Sequence, residues 1–338
     1  VLDVPLRSYA RHVRQNCFSA KVIGITGSAG KTTVKDLVSE ILKTQFSVHK
    51  TSQNQNNEIG VPLTLLNTPP TAQFLVCEMG MRGRGQILEL TQIARPNYVI
   101  IVSLGSTHLE LLKTRRNIAL AKAEIYRFPK QSGQPYITFL NEQMPYFELV
   151  RSIAIKNGFQ VISIDEPSEL LSNFKLAGAL AQHLGIPATA SKEVFDLFST
   201  ESAHRQQLIT WEDNLLIDDT YNANPESMKY AIHKLLADHP HRSLAVVLGE
   251  MRELGSHTDQ AHQDLVKLVK SHPQIAHAFF YGVPYKKFVK SSVKCYYSAS
   301  REDVFRAIKE NHLHHYVLLF KGSRSLQMED IISMLTSP

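Results

Sequence analysis

Cysteine is scarce: the 338 residues contain three, Cys17, Cys77 and Cys295, all far apart. No Cys-x-x-Cys pair and no Cys/His spacing suited to zinc occurs. A disulfide framework, a dithiol redox centre and a structural zinc site are therefore not expected, and free thiols in a reducing cytosol are. Long apolar runs are missing as well, which argues against a bilayer-spanning helix and against membrane insertion. The opening residues Val1-Leu2-Asp3-Val4-Pro5 lack the charged-then-apolar layout of a signal peptide, so a cytoplasmic chain is expected. Low-complexity tracts and internal repeats are absent. Basic residues outnumber acidic ones by 37 to 31, for a net charge of +6, yet they are dispersed and no basic run is interleaved with aromatics. That pattern speaks against nucleic acid and for a small anionic ligand.

What is present is a soluble-type composition, 43% hydrophobic and 20% charged, in a chain long enough for two cores. Apolar runs alternate with amphipathic stretches. Strands are expected at 21–26, 74–79, 98–103, 136–140, 214–218, 243–248, 277–281, 293–297 and 315–320, on their short apolar runs. Helices are expected at 31–44, 84–93, 115–127, 174–184, 225–237, 257–271, 301–311 and 326–335, on their 3.6-residue periodicity. Such βαβα alternation predicts an α/β fold of two domains with doubly wound, mostly parallel sheets, divided near 186–206, and ligands of such folds bind in a crevice at the strand ends.

The sharpest motif follows the first strand. Gly24-Ile25-Thr26-Gly27-Ser28-Ala29-Gly30-Lys31-Thr32-Thr33 reads as strand, glycine-rich turn and helix start. That arrangement aims backbone N–H groups and a helix N-terminus at a polyphosphate. Gly27 and Gly30 allow the tight bend, Lys31 would reach the β/γ-phosphates, and the Thr32 hydroxyl would ligate Mg²⁺. The spacing departs from Walker A, because Ile25 stands where that pattern has its first glycine. ATP is the expected ligand.

Four further segments carry chemistry-bearing residues. Phe74–Gly80 is an apolar strand ending in Glu78, placed to hold Mg²⁺ by oxygen, although by itself a solvated strand-end charge is the plainer reading. Ile101–Glu110 runs into a loop carrying His108, which alone is more commonly structural. In Ile118–Ile125, Lys122 sits among small and apolar residues. Desolvation there would make it a nucleophile towards CO₂, while a lysine snorkelling from an amphipathic helix is the ordinary alternative. Leu216–Met228 ends a strand in Asp218 and Asp219 and continues through Asn222 and Asn224 to Pro225. It suits ribose or phosphate contacts and equally a turn with a helix cap.

Together these segments resemble the Mur ligase family, and within it the branch that appends D-alanyl-D-alanine. The matching stretches are ITGSAGKTTVKDL (25–37), NNEIGVPLTLL (56–66), CEMGMRGRGQI (77–87), THLE (107–110), AKAEIY (121–126), IDDTYNANPESM (217–228), VLGEMRELG (247–255) and FKGSRS (320–325), in the family's order. The resemblance implies an ATP-dependent, ADP-forming amide ligase of peptidoglycan synthesis that joins UDP-N-acetylmuramoyl-tripeptide to D-Ala-D-Ala through an acyl phosphate, working as a monomer. It implies a P-loop-type central domain over 18–200, a Rossmann-like C-terminal domain over 201–338, and residues 1–17 as a linker left from an N-terminal UDP-binding domain.

By the same resemblance, ATP lies along residues 27–33 and is bordered by Asn173, Arg205, Asp219, Asn222 and Asn224. Mg²⁺ is held by Thr32, Glu78, His108 and a carbamylated Lys122, with Lys31, His108 and Lys122 catalytic. Asn56, Asn57, Lys321 and Arg324 contact the substrates. The segment between Asn141 and Asn173 is shorter than the family's, and Glu169 and Leu170 stand where the family has a His-Asn pair beside the adenine. Part of the late central sheet is therefore expected to be missing. A non-catalytic nucleotide-binding relative, or another ligase of the superfamily, are the alternative readings.

Overall fold

A computed structural model describes residues 3–52, 55–105, 107–130, 133, 136–198, 207–292 and 294–337, with the backbone alone at 3, 169, 170 and 197. The chain divides into two compact units, Val1–Leu197 and Phe198–Pro338.

The first unit runs α1 (Asp3–Asn16), β1 (Lys21–Thr26), α2 (Lys31–Lys43), β2 (Val48–Lys50), α3 (Gly60–Leu66), β3 (Phe74–Glu78), α4 (Gln86–Ala94), β4 (Tyr98–Ile101), α5 (Leu109–Leu112), α6 (Arg115–Lys122), β5 (Ile137–Asn141), α7 (Phe147–Lys156), β6 (Gln160–Ile164), α8 (Glu169–His183) and α9 (Ala188–Phe198). Its strands form a six-stranded sheet in the order β2-β3-β1-β4-β5-β6, parallel throughout. Central β1 is flanked by β3 and β4, with Ile25 opposite both Glu78 and Ile100. The turn after β1, the carboxylate at the end of β3 and the loop after β4 are thereby brought to one edge of the sheet. Burial on both faces explains why these strands read as continuous apolar runs rather than as alternation. In α2, Val34, Leu37, Val38, Ile41 and Leu42 are buried, the i, i+3, i+4, i+7, i+8 stripe of a helix laid on a sheet.

Three segments differ from the sequence reading. Residues expected as linker form α1, which is integral to the first unit: Ala10 is fully buried in its core. Arg14 Nε donates to the Ala94 carbonyl at 2.7 Å and Arg7 pairs with Glu89. The stretch after Asn141 supplies α7 and the edge strand β6, and the polar stretch near 190 is helical as α9.

The second unit runs β7 (Gln207–Trp211), β8 (Asn214–Asp218), α10 (Pro225–Asp238), β9 (Ser243–Gly249), α11 (Thr258–Ser271), β10 (Ile275–Tyr281), β11 (Cys295–Ser298), α12 (Arg301–Glu310), β12 (Tyr316–Lys321) and α13 (Glu329–Thr336). The strand order is β11-β10-β9-β12-β8-β7. All pairs are parallel except the β7–β8 hairpin, an antiparallel edge common on such sheets. Among the described residues no helix is long and apolar enough to cross a membrane.

Since α1 docks through a buried alanine, Ala10→Asp places an unpaired carboxylate in the core. Its expected effect is a lower thermal midpoint for the first unit in calorimetry, with the second unit's transition unmoved; an unchanged midpoint would mean that α1 is not part of that unit's core.

Candidate active site at the strand ends of the first unit

The turn after β1 is fixed from the β4 side. Ser28 N–H donates to the Ser103 carbonyl at 3.0 Å. Ala29 N–H donates to Ser103 Oγ at 2.9 Å, whose own proton goes to the Ala29 carbonyl at 3.0 Å. Gly105 N–H closes on Ser28 Oγ at 2.9 Å. Gly30 starts α2 with φ of +79°, and a Cβ there would sit 2.8 Å from Val102 Cγ1 and 2.9 Å from Asn173 Oδ1. Both the left-handed backbone and the crowding demand glycine. Asn173, on α8, thus lies against the phosphate-type loop. No side chain caps the N-terminus of α2, which leaves that end suited to an anion.

Two lysines converge on one carbonyl. Lys31 Nζ donates to Gly27 O at 2.8 Å, and so does Lys122 Nζ at 2.8 Å. Lys122 is 1% exposed. Burial, and after it the charge of Lys31, push its ammonium well below the ordinary lysine range. This agrees with the desolvated-lysine reading rather than the snorkelling one, because the side chain runs inward to the loop.

Glu78, at the end of β3, is 1% exposed. The Thr32 hydroxyl donates to its Oε2 at 2.8 Å and Asn56 Nδ2 to its Oε1 at 2.8 Å. Lys35, also buried, stands 4.0 Å from Oε2. Side by side, a hydroxyl and a carboxylate make a hard oxygen pair, the donor type Mg²⁺ takes when phosphates and water complete its shell. Among the described residues no group of three or more His, Cys, Asp and Glu side chains gathers around a common point. His108, half-buried at the start of α5 with φ of +65°, belongs to no such group of three.

Two of the residues expected to contact substrate are bonded within the chain. Asn56 is tied to Glu78, and the Asn57 side-chain oxygen accepts from Gly60 N–H at 2.9 Å, shaping the turn into α3. In the second unit Asp219, Asn222 and Lys321 do meet: Lys321 Nζ donates to Asp219 Oδ2 at 2.8 Å and to the Asn222 carbonyl at 3.0 Å. The Lys321 charge is thus paired with Asp219 in this structure. Arg324, half-exposed, pairs with Glu329. Asn224 is the N-cap of α10, its side chain accepting from Ser227 N–H at 2.8 Å within a capping box; the turn-and-cap reading of this residue is the observed one. Arg205 lies outside the described residues.

Ser103, Lys35 and Glu124 carry the site without having been singled out. Glu124 accepts from Gly85 N–H at 3.0 Å on each oxygen and from Leu88 N–H at 3.3 Å, capping α4 behind the Arg82–Arg84 loop. A charged residue in an apolar stretch was the available signal for Glu124; Lys35, beside Asp36, offered none. Nothing in the sequence singles out Ser103.

Two outcomes follow from these contacts. In CO₂-depleted buffer Lys122→Met is expected to melt no lower than the parent at neutral pH. Burial holds the folded amine well below the ordinary lysine range, so it sheds its proton at a lower pH than an unfolded lysine, with pKa about 10.4. The parent's stability therefore rises with pH across that window and the variant's does not; parallel pH–stability curves would refute the downward shift. Asn224→Ala should lower unfolding stability by about 1 kcal/mol and Asn224→Ser by much less, read by urea titration of the second unit.

Comparison with known proteins agrees with this arrangement. Residues 25–212 match the Mur ligase middle domain and residues 204–324 the Mur ligase, glutamate ligase domain. The chain is 32% identical over 357 residues to the UDP-N-acetylmuramoyl-tripeptide–D-alanyl-D-alanine ligase of Bacillus subtilis, covering 94% of this chain and 76% of that protein. Among solved structures it is similar to MurF from Acinetobacter baumannii, with a TM-score of 0.88, 26% identity and coverage of 99% of this chain and 80% of that one. It is similar also to the MurF ligase from Thermotoga maritima in complex with ADP, with a TM-score of 0.83, 26% identity and coverage of 99% and 83%.

Proposed function

We propose that this chain, which belongs to the Mur ligase family of ATP-dependent amide ligases, joins UDP-N-acetylmuramoyl-tripeptide to D-Ala-D-Ala. The observation that carries the reading is the convergence of Lys31, Lys122, Thr32 and Glu78 at the ends of β1 and β3. Relatives bearing the corresponding substrate name match over nearly the whole chain.

In this reading the γ-phosphate of ATP rests on the N-terminus of α2, with Lys31 swinging from the Gly27 carbonyl to the phosphate oxygens. Asn173 lies beside the same loop. A terminal carboxylate of the tripeptide attacks the γ-phosphorus, the bond to the bridging oxygen breaks, and ADP leaves. The amine of D-Ala-D-Ala, having lost a proton, then attacks the acyl carbon; phosphate leaves and the amide is formed. Thr32 and Glu78 would hold Mg²⁺, which neutralises phosphate charge when bound. Lys122, as a neutral amine, adds to CO₂ and releases a proton. The carbamate places an anion beside Lys31 and supplies a further carboxylate-like group, and His108 is assigned to the same metal region. Asp219 and Asn222 are assigned to the nucleotide, and Arg324, beside Lys321, to the dipeptide carboxylate, which its planar fork fits.

Phosphate release from ATP and Mg²⁺ should require both UDP-N-acetylmuramoyl-tripeptide and D-Ala-D-Ala. ATP uptake without turnover would leave a nucleotide-binding protein and remove the ligase. Lys122→Ala should reduce turnover by about two orders of magnitude or more, the scale for losing a positioned catalytic group. Glu78→Gln should shift the Mg²⁺ requirement to higher concentration at saturating ATP; an unshifted requirement would take Glu78 out of the metal site.

A further inference from the structure

We propose that His262 is a positioning residue that clamps the loop leaving β9 and so sets the geometry of the Lys321–Arg324 turn, and with it the affinity for the second substrate. The inference rests on the assignment of that turn to the dipeptide carboxylate.

His262 is fully buried on α11, and both ring nitrogens are committed. Met251 N–H donates to Nε2 at 3.0 Å, so Nε2 is bare and the ring proton sits on Nδ1, from which it reaches the Thr258 carbonyl at 2.6 Å. A single neutral tautomer satisfies both bonds. The ring packs edge-on against Tyr285, 4.7 Å between centroids, and the Tyr285 hydroxyl donates to the Gly249 carbonyl at 3.1 Å. Two buried side chains therefore hold the backbone on either side of Glu250.

That short segment grips the other turn. Ser323 N–H donates to the Glu250 carbonyl at 3.2 Å, and Arg252 N–H to Ser323 Oγ at 3.0 Å. Ser323 lies between Lys321, bound to Asp219, and Arg324. A shift of the Met251 amide is thus passed through two hydrogen bonds to the residues proposed to meet the dipeptide. Through Lys321 the same turn also touches Asp219 and Asn222, assigned above to the nucleotide, so the larger effect is expected on the dipeptide and a smaller one on ATP.

Two substitutions separate bulk from bonding. His262→Phe keeps a ring against Tyr285 but leaves Met251 N–H without an acceptor, while His262→Gln retains a side-chain acceptor. The expected result for H262F is a KM for D-Ala-D-Ala raised about tenfold, the scale of one lost buried hydrogen bond, with a clearly smaller rise in the KM for ATP and kcat unchanged. H262Q should recover most of the loss. An unmoved dipeptide KM in H262F, or H262Q as impaired as H262F, overturns the proposal. Should H262F not fold, the H262Q comparison and nitrogen NMR of the parent remain decisive: His262 must show a protonated Nδ1 and a bare Nε2, and the opposite tautomer overturns the clamp. Met251 amide exchange is expected to be slow in the parent and in H262Q; fast exchange in the parent counts against it. A parent enzyme that performs no ligation refutes the ligase reading instead, and leaves the NMR measurements as the test of the clamp.

Discussion

One backbone carbonyl, that of Gly27, receives the ammonium groups of both Lys31 and Lys122, and the proposed chemistry depends on that crowding. Two like charges sharing an acceptor in a poorly solvated place cannot both be retained cheaply. The half-buried end of the conflict is Lys31, which a phosphate can draw away. The enclosed end is Lys122, for which losing the proton is the relief the surroundings permit. In the proposed reading the same carbonyl prepares one lysine to bind anion and the other to give up its proton.

The crowding is tolerable because the loop is held from outside itself. Ser103, at the end of the neighbouring strand, uses its carbonyl and its hydroxyl on Ser28 and Ala29, and central β1 fixes where both strands end. Glu78 is handled in the same manner: Thr32, Asn56 and Lys35 surround it, so its buried charge is bonded before any cation arrives. Ion pairing plays the corresponding part in the second unit. Lys321 is neutralised by Asp219, and the turn it begins is suspended from the β9 loop rather than from its own strand.

Much of the fold was legible. Strands 21–26 and 214–218 and the helix at 31–43 fall where periodicity puts them, because each is a strongly patterned segment bounded by a turn or cap. The omissions have physical causes. Strand β2 has three residues, too few for a pattern. Strand β6, at the sheet edge, is only half-buried and so lacks the apolar run of its neighbours. Helix α1, expected as a linker from the family resemblance, packs through buried Ala10 and through guanidinium groups that reach the end of α4.

The sequence by itself determined the order of elements, the glycine-rich turn and the residue types that phosphate and magnesium chemistry require, since these are local properties of composition, spacing and backbone freedom. Only the tertiary structure decided which of those residues meet. It joined Thr32 to Glu78 across 46 positions and Lys122 to Gly27 across 95, assigned Asn224 to a helix cap, and enclosed His262 between Thr258 and Met251. Such pairings are set by strand order and by the burial of both partners, which no stretch of chain encodes alone.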